Sequence, residues 1–550
     1  MNSLTPTLAL VALAAAVEGA PHIVVILGDD VGWHGVGFHA KRNATEQPLV
    51  RTPRMDALVA EGMELDRHYV YKFCSPSRSS FQSGRLPVHV NVANAAPELR
   101  NASDPVSGYA GIPKSMTGVA SVLSASPANY SAHMTGKWDA GMATPQHTPM
   151  GRGYSSWLGY YHHANDYYTE GLPLQATGNI NVCLNQFTDL WGPGQGPAVA
   201  SQGLGVYEEE IFTNQTLSVI HAHAEANRRA AAVAEAPRPL FLVHAFHLVH
   251  TPLEVPDAYL EKFSKVPNPT RRKYLAMTKY MDDVVGKIVD ALDTEDMWED
   301  TLLVFMADNG GAIYNPAGGN NYPLRGGKYA DWEGGVRGVA FVAGGYLPES
   351  KRGTRSGMDR IFHIADWYRT FASIAGVKDP EDAPAKRDGL PPVDGVDQSG
   401  VLLLGPGVIS DDGSDPRELH ISTNCLLSGR YKLVTGVQPM TGWTGPSYPN
   451  NTGSQPSFFP KGWKYDAGDG ELYDVVADET EHHNLASTHP DVLARLQQRL
   501  KELNGKSFFN PGRGTPDRQA CVQAKKYGGA KGGTYGPWVF SQESVFERFE

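Results

Sequence analysis

Cysteine is scarce in this chain, which has four among 550 residues: Cys74, Cys183, Cys425 and Cys521. A fold held by many disulfides is therefore excluded. No block of basic residues is present, and the formal net charge of −11 argues against a nucleic-acid partner. Beyond the first 17 residues, no apolar run is long enough to span a membrane. Hydrophobic residues still make up 41% of the sequence, which is ample for a large core and predicts about two domains.

The N-terminal segment Leu8–Val17 has the length of a secretory signal and is too short to cross a bilayer. We expect a signal peptide at residues 1–19, because cleavage after Gly19 places small residues at the positions that signal peptidase requires. Five sequons are consistent with a glycoprotein of the secretory pathway, either secreted or lysosomal. These are Asn43, Asn101, Asn129, Asn214 and Asn450.

Two buried strands are each followed by a pair of oxygen-bearing side chains. The run His22–Leu27 leads into Asp29-Asp30, and the run Leu302–Ala307 leads into Asp308-Asn309. An Asp-Asp pair is often no more than a solvated turn. The carboxyl ends of parallel strands meet at one rim, however, and four hard oxygens without His or Cys suit Ca²⁺ or Mg²⁺.

The segment Cys74-Ser75-Pro76-Ser77-Arg78 is the second candidate for chemistry. A Cys thiolate can act as a nucleophile. A small buried thiol in a Ser/Pro turn is the alternative, and for this short pattern alone it is the better interpretation.

Further elements are predicted from the spacing of apolar residues. Helices are expected at Met55–Ala60, Arg271–Leu292 and Asp491–Leu503. Strands are expected at Pro239–Phe246, Gly338–Ala343, Arg430–Val434 and Glu471–Val476.

Taken together, these motifs and the stretch Pro323–Gly338 resemble the type I, formylglycine-dependent sulfatases, and among them the arylsulfatase B (N-acetylgalactosamine-4-sulfatase) group. The resemblance covers residues 22–405, with a weaker tail to about 503. It implies an α/β fold of the alkaline-phosphatase type, with a mixed, mostly parallel sheet flanked by helices and a smaller C-terminal α+β domain. The Pro/Gly/Asp-rich stretch Gly405–Pro416 suggests domains at 20–410 and 411–550.

The resemblance also implies an activity, the hydrolysis of sulfate monoesters of aryl or carbohydrate compounds. In that family an ER partner, the formylglycine-generating enzyme, oxidises the motif cysteine, here Cys74, to formylglycine. Ca²⁺, with Mg²⁺ as the competitor, is then expected at a site completed by modified residue 74. The other ligands implied are Asp29, Asp30, Asp308 and Asn309.

Four further residues receive roles from the resemblance. Arg78 would hold the formylglycine hydroxyl, and Lys137 and Lys328 would contact the sulfate oxygens. His250, at a strand end before Thr-Pro, would donate the proton to the departing alcohol, since imidazole titrates near neutrality. This position at the strand end favours His250 over His244 and His247 as the proton donor.

One position departs from the family pattern. The family usually reads Gly-Lys-Trp-His-Leu-Gly, with the His linked to release of sulfate, whereas here Asp139 stands in place of the His. Asp139 itself or His147 from the following loop is the expected base. His147 is equally open to interpretation as a solvent-exposed residue.

Several alternatives stay open at this level. Related folds hydrolyse phosphate esters, and a catalytically silent binding protein would also fit the change at Asp139. The segment Trp157–Tyr168, rich in aromatic residues and histidines, would either stack on a sugar or pack internally. With Cys74 modified, three cysteines remain, and Cys425 with Cys521 is the preferred disulfide because both lie in the C-terminal part.

Overall fold

The computed structural model describes residues 19–43, 49–90, 96–171, 183, 187–192, 205–378, 380–404, 417–449, 463–508, 514–529 and 532–540. The expected signal peptide, apart from residue 19, lies outside these residues. So do Asn450 and the expected domain boundary at 405–416.

Strands of the described residues are numbered in chain order. They are β1 (His22–Gly28), β2 (Met63–Glu64), β3 (His68–Tyr69), β4 (Leu99–Arg100), β5 (Ser131–Lys137), β6 (Ser156–Tyr160), β7 (Leu240–Ala245), β8 (Thr301–Ala307), β9 (Ala340–Ala343), β10 (Thr354–Arg355), β11 (Phe362–His363), β12 (Glu418–Ser422), β13 (Cys425–Ser428), β14 (Tyr431–Val434), β15 (Val437–Pro439), β16 (Lys464–Asp466), β17 (Glu471–Asp474) and β18 (Thr515–Pro516).

Helices are numbered in the same way. They are α1 (Gly37–Asn43), α2 (Pro53–Glu61), α3 (Cys74–Ser83), α4 (Pro87–Val90), α5 (Val119–Ser124), α6 (Glu208–Ala232), α7 (Asp257–Glu261), α8 (Pro269–Thr294), α9 (Glu333–Val336), α10 (Asp366–Ile374), α11 (Ala383–Arg387), α12 (Ser399–Leu403), α13 (Pro490–Asn504) and α14 (Gln519–Tyr527). Across the described ranges, none of the helices is both long and apolar enough to traverse a bilayer.

An eight-stranded sheet forms the centre of the molecule, in the order β10-β2-β9-β8-β1-β7-β5-β6. Strand β1 runs parallel to both β7 and β8, and β5 runs parallel to β6 and β7. Only β9 is antiparallel to its neighbours in this sheet. The predicted mixed, mostly parallel sheet is confirmed.

Both faces of the sheet are covered, which explains the β-branched sequence of its central strand. Along β1, Ile23 and Val25 belong to the apolar core on one face, while Val24 and Ile26 belong to the core on the other. Helix α8 covers the second face. Its first turn is stabilised by the Asn268 side chain, which accepts a hydrogen bond from the backbone N–H of Arg271.

The C-terminal part contains a smaller antiparallel sheet in the order β12-β13-β14-β17. Helix α13 packs against it through Leu496 and Leu500, which meet Leu426, Leu433 and Leu472. The expected helix and strands of this part are therefore present, within one or two residues of the predicted bounds.

Described residues 514–529 and 532–540 lie against the large sheet and not against the small one. Strand β18 pairs with β4, and Ala520, Ala524 and Trp538 join the core of the large sheet. This packing brings Cys521 to Cys183, with which it forms a disulfide across 338 residues.

The expected disulfide between Cys425 and Cys521 is wrong. Cys425 begins strand β13 inside the small sheet, where its free thiol is fully buried. Its neighbours there are strand partners such as Val434, whereas Cys521 lies on α14 against the large core. Proximity along the sequence did not predict the disulfide, because the chain passes from the small sheet to the large sheet between Cys425 and Cys521.

Candidate active site

The two acidic pairs meet at one rim of the large sheet. Strands β1 and β8 are parallel neighbours in a register that sets Gly28 opposite Ala307, so Asp29 and Asp308 leave the sheet side by side. The backbone N–H of Asp30 donates to Asp308 Oδ1 at 3.3 Å. The convergence expected from parallel strand ends is therefore realised.

Cys74 points into the same rim from the first residue of helix α3. Its Sγ donates to Asp29 Oδ1 at 3.2 Å, and the side chain is fully buried. Burial, followed by the nearby charges of Asp29 and Asp308, raises the pKa of the Cys74 thiol well above its usual value. An unmodified thiol here stays protonated and is a poor nucleophile.

Three cations face the three carboxylates. Lys137 Nζ lies 2.5 Å from Asp29 Oδ2, Lys328 Nζ lies 2.9 Å from Asp30 Oδ2, and Arg78 Nε donates to Asp308 Oδ2 at 2.8 Å. Arg78 also donates to the backbone oxygen of Lys137 at 3.0 Å. Burial opposes the charge on Lys137, but the carboxylate of Asp29 raises the pKa of its amine overall, so it stays protonated.

Asn309 provides the observation that points to a cation. Its Nδ2 donates to Asp30 Oδ1 at 2.7 Å and to Gly310 O at 2.9 Å, which directs the amide oxygen elsewhere. That Oδ1 is buried and has no hydrogen-bond partner among the described residues. Ligand atoms of Asp29, Asp30, Cys74 and His250 lie within 4.8 Å of one another. The carboxylate oxygens of Asp29 and Asp30, with the amide oxygen of Asn309, fit a divalent cation of the Ca²⁺ or Mg²⁺ type.

His250 enters the rim beyond the end of β7. Its Nδ1 donates to Thr251 O at 2.6 Å, and its Nε2 lies 3.8 Å from Asp30 Oδ2. Burial, then the charges of Lys328 and Lys137, lower the pKa of His250 well below its usual value. The ring is therefore neutral before substrate binds.

The two preceding histidines have other partners. His247 Nδ1 lies 2.5 Å from Glu208 Oε1, and His244 Nδ1 lies 2.8 Å from Thr216 Oγ1. Of the three histidines in this segment, His250 is thus the one grouped with Cys74 and the acidic pairs.

Asp139 is fully buried two residues beyond β5, with φ +48°. Its Oδ2 lies 3.8 Å from Lys137 Nζ and 3.2 Å from Nδ1 of His163. His163 was not singled out from the sequence. The available signal was its place in the histidine-rich segment that follows β6, a strand paired with β5.

His147 is not solvent-exposed, in contrast to one of the two interpretations of the sequence. Its side chain is buried, with Nδ1 2.7 Å from Thr144 Oγ1 and the ring against Tyr109 at a centroid distance of 4.8 Å. Its backbone oxygen accepts from Trp138 Nε1 at 2.9 Å.

A family model described as Sulfatase matches residues 21–377, well over half of the chain and the whole of this rim. The chain belongs to the sulfatase family. The resemblance seen in the sequence to type I sulfatases is confirmed, and with it the prediction of an enzyme that hydrolyses sulfate esters of aryl or carbohydrate compounds. Formylglycine chemistry and a divalent metal are general to that family.

Known proteins of similar sequence cover most of this sulfatase. Mouse (Mus musculus) arylsulfatase J is 28% identical over 94% of the chain and 80% of its own length. Mouse N-acetylgalactosamine-6-sulfatase is 28% identical over 72% of the chain and 69% of its own length. The narrower resemblance to arylsulfatase B stays a prediction.

Solved structures show the same fold. The crystal structure of Ps i-CgsB in complex with k-i-k-neocarrahexaose superposes with a TM-score of 0.65 at 22% identity, covering 92% of this sulfatase and 97% of that chain. The predicted α/β architecture is confirmed at this level.

Proposed function

We propose that this sulfatase removes sulfate from sulfated carbohydrates, with formylglycine at residue 74 as nucleophile and Ca²⁺ as the cation. The observation that carries the proposal is the buried cluster around Cys74, in which Asp29, Asp30 and Asp308 pair with Lys137, Lys328 and Arg78. Two comparisons support a sugar substrate: one relative is named for N-acetylgalactosamine-6-sulfate chemistry, and one structural neighbour was solved with a neocarrahexaose.

The cation site proposed here is built from oxygen atoms. Asp29, Asp30, Asp308 and Asn309 would hold Ca²⁺ together with residue 74, and Mg²⁺ would be the competitor. The bound ion would supply positive charge to the sulfate oxygens. Asn309 Oδ1, buried without a partner among the described residues, supports this ligand set.

Substrate binding is assigned to the two buried lysines. Lys137 and Lys328 would neutralise the peripheral oxygens of the sulfate, which otherwise repel a nucleophile approaching sulfur. Arg78 would orient the attacking hydroxyl of residue 74 from its fixed position between Asp308 and the backbone of Lys137.

His250 would protonate the alcohol that leaves. Thr251 O holds Nδ1–H, which leaves Nε2 directed at the rim. A bound sulfate anion favours the protonated ring, so His250 would gain its proton as substrate binds and pass it to the bridging oxygen while the S–O bond breaks.

We also place the protein in the secretory pathway, where the formylglycine-generating enzyme would act on Cys74. The Cys183–Cys521 disulfide fits an oxidising compartment. Among the sequons, Asn129 and Asn214 are exposed and Asn101 is half-buried. The side chain of Asn43 lies outside the described part of the chain.

Matched esters test the activity. The purified protein is offered 4-nitrophenyl sulfate and 4-nitrophenyl phosphate, with and without EDTA, and then sulfated oligosaccharides, with Cys74→Ala as the inactive control. We expect sulfate release that EDTA removes and Ca²⁺ restores, and a higher kcat/KM on the oligosaccharides. Faster phosphate release would instead favour a phosphate-ester hydrolase.

A further inference from the structure

We propose that His163 is a catalytic residue of this sulfatase, receiving the proton that leaves residue 74 when sulfate is expelled, and that Asp139 positions it. The proposal rests on the sulfatase function proposed above. It assigns to one imidazole the step for which Asp139 and His147 were the candidates in the sequence.

Neighbouring strands bring the two residues together. Strands β5 and β6 are parallel and set Lys137 opposite Tyr160, so Asp139 and His163 follow the same edge of the sheet. The bond between His163 Nδ1 and Asp139 Oδ2 measures 3.2 Å.

His163 also reaches the reacting position. One of its ring nitrogens, one from His250 and Sγ of Cys74 lie within 4.8 Å of one another. The rings of His163 and His250 are nearly perpendicular, with centroids 5.3 Å apart. The side chain of His163 is 16% exposed, which gives a proton received there a route to water.

The contact with Asp139 selects the useful tautomer. A carboxylate accepts hydrogen bonds, so in the neutral ring Nδ1 of His163 carries the hydrogen and Nε2 has the lone pair. Burial alone would raise the pKa of Asp139, but the hydrogen bond from His163 and the positive charge of Lys137 lower it overall. A carboxylate held in its charged form is a weak base and a good partner for an imidazolium.

The partners of His147 point to a different role. Nδ1 of that ring is paired with Thr144 Oγ1, and the ring packs against Tyr109 in a tilted arrangement. These contacts tie His147 to its own loop, whereas His163 is grouped with Cys74. The imidazole that the family pattern places after Lys-Trp thus comes here from the segment that follows the adjacent strand β6.

The proposed step balances. His163 Nε2 takes the proton of the second hydroxyl on residue 74, and the electron pair of that O–H bond forms the aldehyde C=O. The C–O bond to the sulfate breaks, and its electron pair leaves with sulfate. The proton then passes from His163 to water, and no oxidant or reductant is consumed.

The main test uses His163→Ala with 4-nitrophenyl sulfate. We expect a burst of about one equivalent of 4-nitrophenol per modified site, followed by turnover about 10²–10⁴-fold slower than wild type. Peptide mass spectrometry should find sulfate retained on residue 74, and added imidazole should restore turnover. His221→Gln is the matched control, because His221 forms a similar pair with Glu295 on the exposed side of α6.

Asp139 is tested separately as a positioning residue. Asp139→Asn should lower kcat more than it changes KM, because it weakens the orientation of His163, while Lys137 loses a carboxylate 3.8 Å away but keeps its closer partner Asp29. Asp139→Glu should recover part of the loss in kcat. In the His163→Ala background, Asp139→His should restore release by returning an imidazole to the position that the family pattern uses. His163→Gln, with its melting temperature compared with wild type, separates loss of the base from loss of the fold.

Two results would overturn the assignment while leaving the function intact: normal turnover of His163→Ala without retained sulfate, or loss of the burst itself. Stalling in His147→Ala with normal His163→Ala would move the role to His147. If modified wild-type protein releases no 4-nitrophenol at all, the proposed function fails, and this inference fails with it.

Discussion

Lys137 Nζ lies 2.5 Å from Asp29 Oδ2, so a lysine assigned to sulfate is held by a carboxylate assigned to the cation. The single carboxylate of Asp29 cannot fully compensate both the ammonium charge of Lys137 and the charge of the proposed cation. A cation bound by Asp29 would weaken the hold of that carboxylate on Lys137 and leave the ammonium group for the sulfate oxygens. The proposed cation site and the proposed sulfate site would thereby be coupled through one ion pair.

Replacing Lys137 with Met tests this coupling. The variant keeps the length of the side chain and loses its charge, so we expect the KM for 4-nitrophenyl sulfate and the Ki of inorganic sulfate to rise about 10–100-fold, as for a lost charge-assisted hydrogen bond. Calcium binding, measured by calorimetry, should not weaken, because a cation competitor for Asp29 has gone. Weaker calcium binding in this variant would contradict the arrangement.

Residue 74 should carry formylglycine in active protein. Peptide mass spectrometry is expected to find the mass of formylglycine in place of cysteine, since the buried thiol remains protonated and is a poor nucleophile. Activity should scale with the modified fraction across preparations. Fully active protein with an intact Cys74 thiol would refute the nucleophile.

Loss of Asp308 should abolish turnover. Asp308→Ala removes a proposed ligand and leaves Arg78 without the carboxylate that holds its Nε. We expect at least a 10³-fold fall in kcat, in line with the loss of electrostatic stabilisation in a buried site.

Elemental analysis of the wild type should report calcium, with magnesium at lower occupancy, and zinc alone would refute the ligand assignment.

The buried contacts of His162 with two carboxylates predict that the stability of the fold depends on pH. Its ring nitrogens lie 2.8 Å from Asp189 Oδ2 and 3.1 Å from Glu98 Oε1. Burial lowers its pKa, but Asp189 and Glu98 outweigh this and raise it to about 10. Because the folded-state pKa exceeds the unfolded value, the stabilisation is complete below pH ~6.5 and is lost as the pH rises through ~10.

The variant His162→Gln tests this pH dependence of stability. At pH 6 its free energy of unfolding should fall by about 3 kcal/mol, as when one partner of a buried ion pair is removed. The difference from wild type should shrink at pH 8 and vanish above pH 10, as followed by urea denaturation. A difference that is constant between pH 6 and pH 10 would show that His162 is neutral in the fold.

Local sequence patterns were sufficient to predict the strands that carry the site and the acidic residues at their ends. Strands β1 and β8 are continuous apolar runs, and their parallel register makes the convergence of Asp29 and Asp308 almost obligatory. His163 could not be found in this way, because its partner Asp139 lies 24 residues earlier, just beyond the end of β5, and many other histidines have similar local sequence. The disulfide between Cys183 and Cys521 could not be predicted for a similar reason. It depends on a C-terminal segment that leaves the small sheet and packs against the large one.

The disulfide also sets an order of events during biosynthesis. Cys183 must wait for 338 more residues before its partner exists, and Cys74 precedes both on the ribosome. For most of translation the nascent chain therefore contains Cys183 without its disulfide partner, together with the earlier Cys74. A disulfide between Cys74 and Cys183 would block the proposed conversion of Cys74 to formylglycine, so early conversion would protect the yield of correct pairing as well as create the nucleophile.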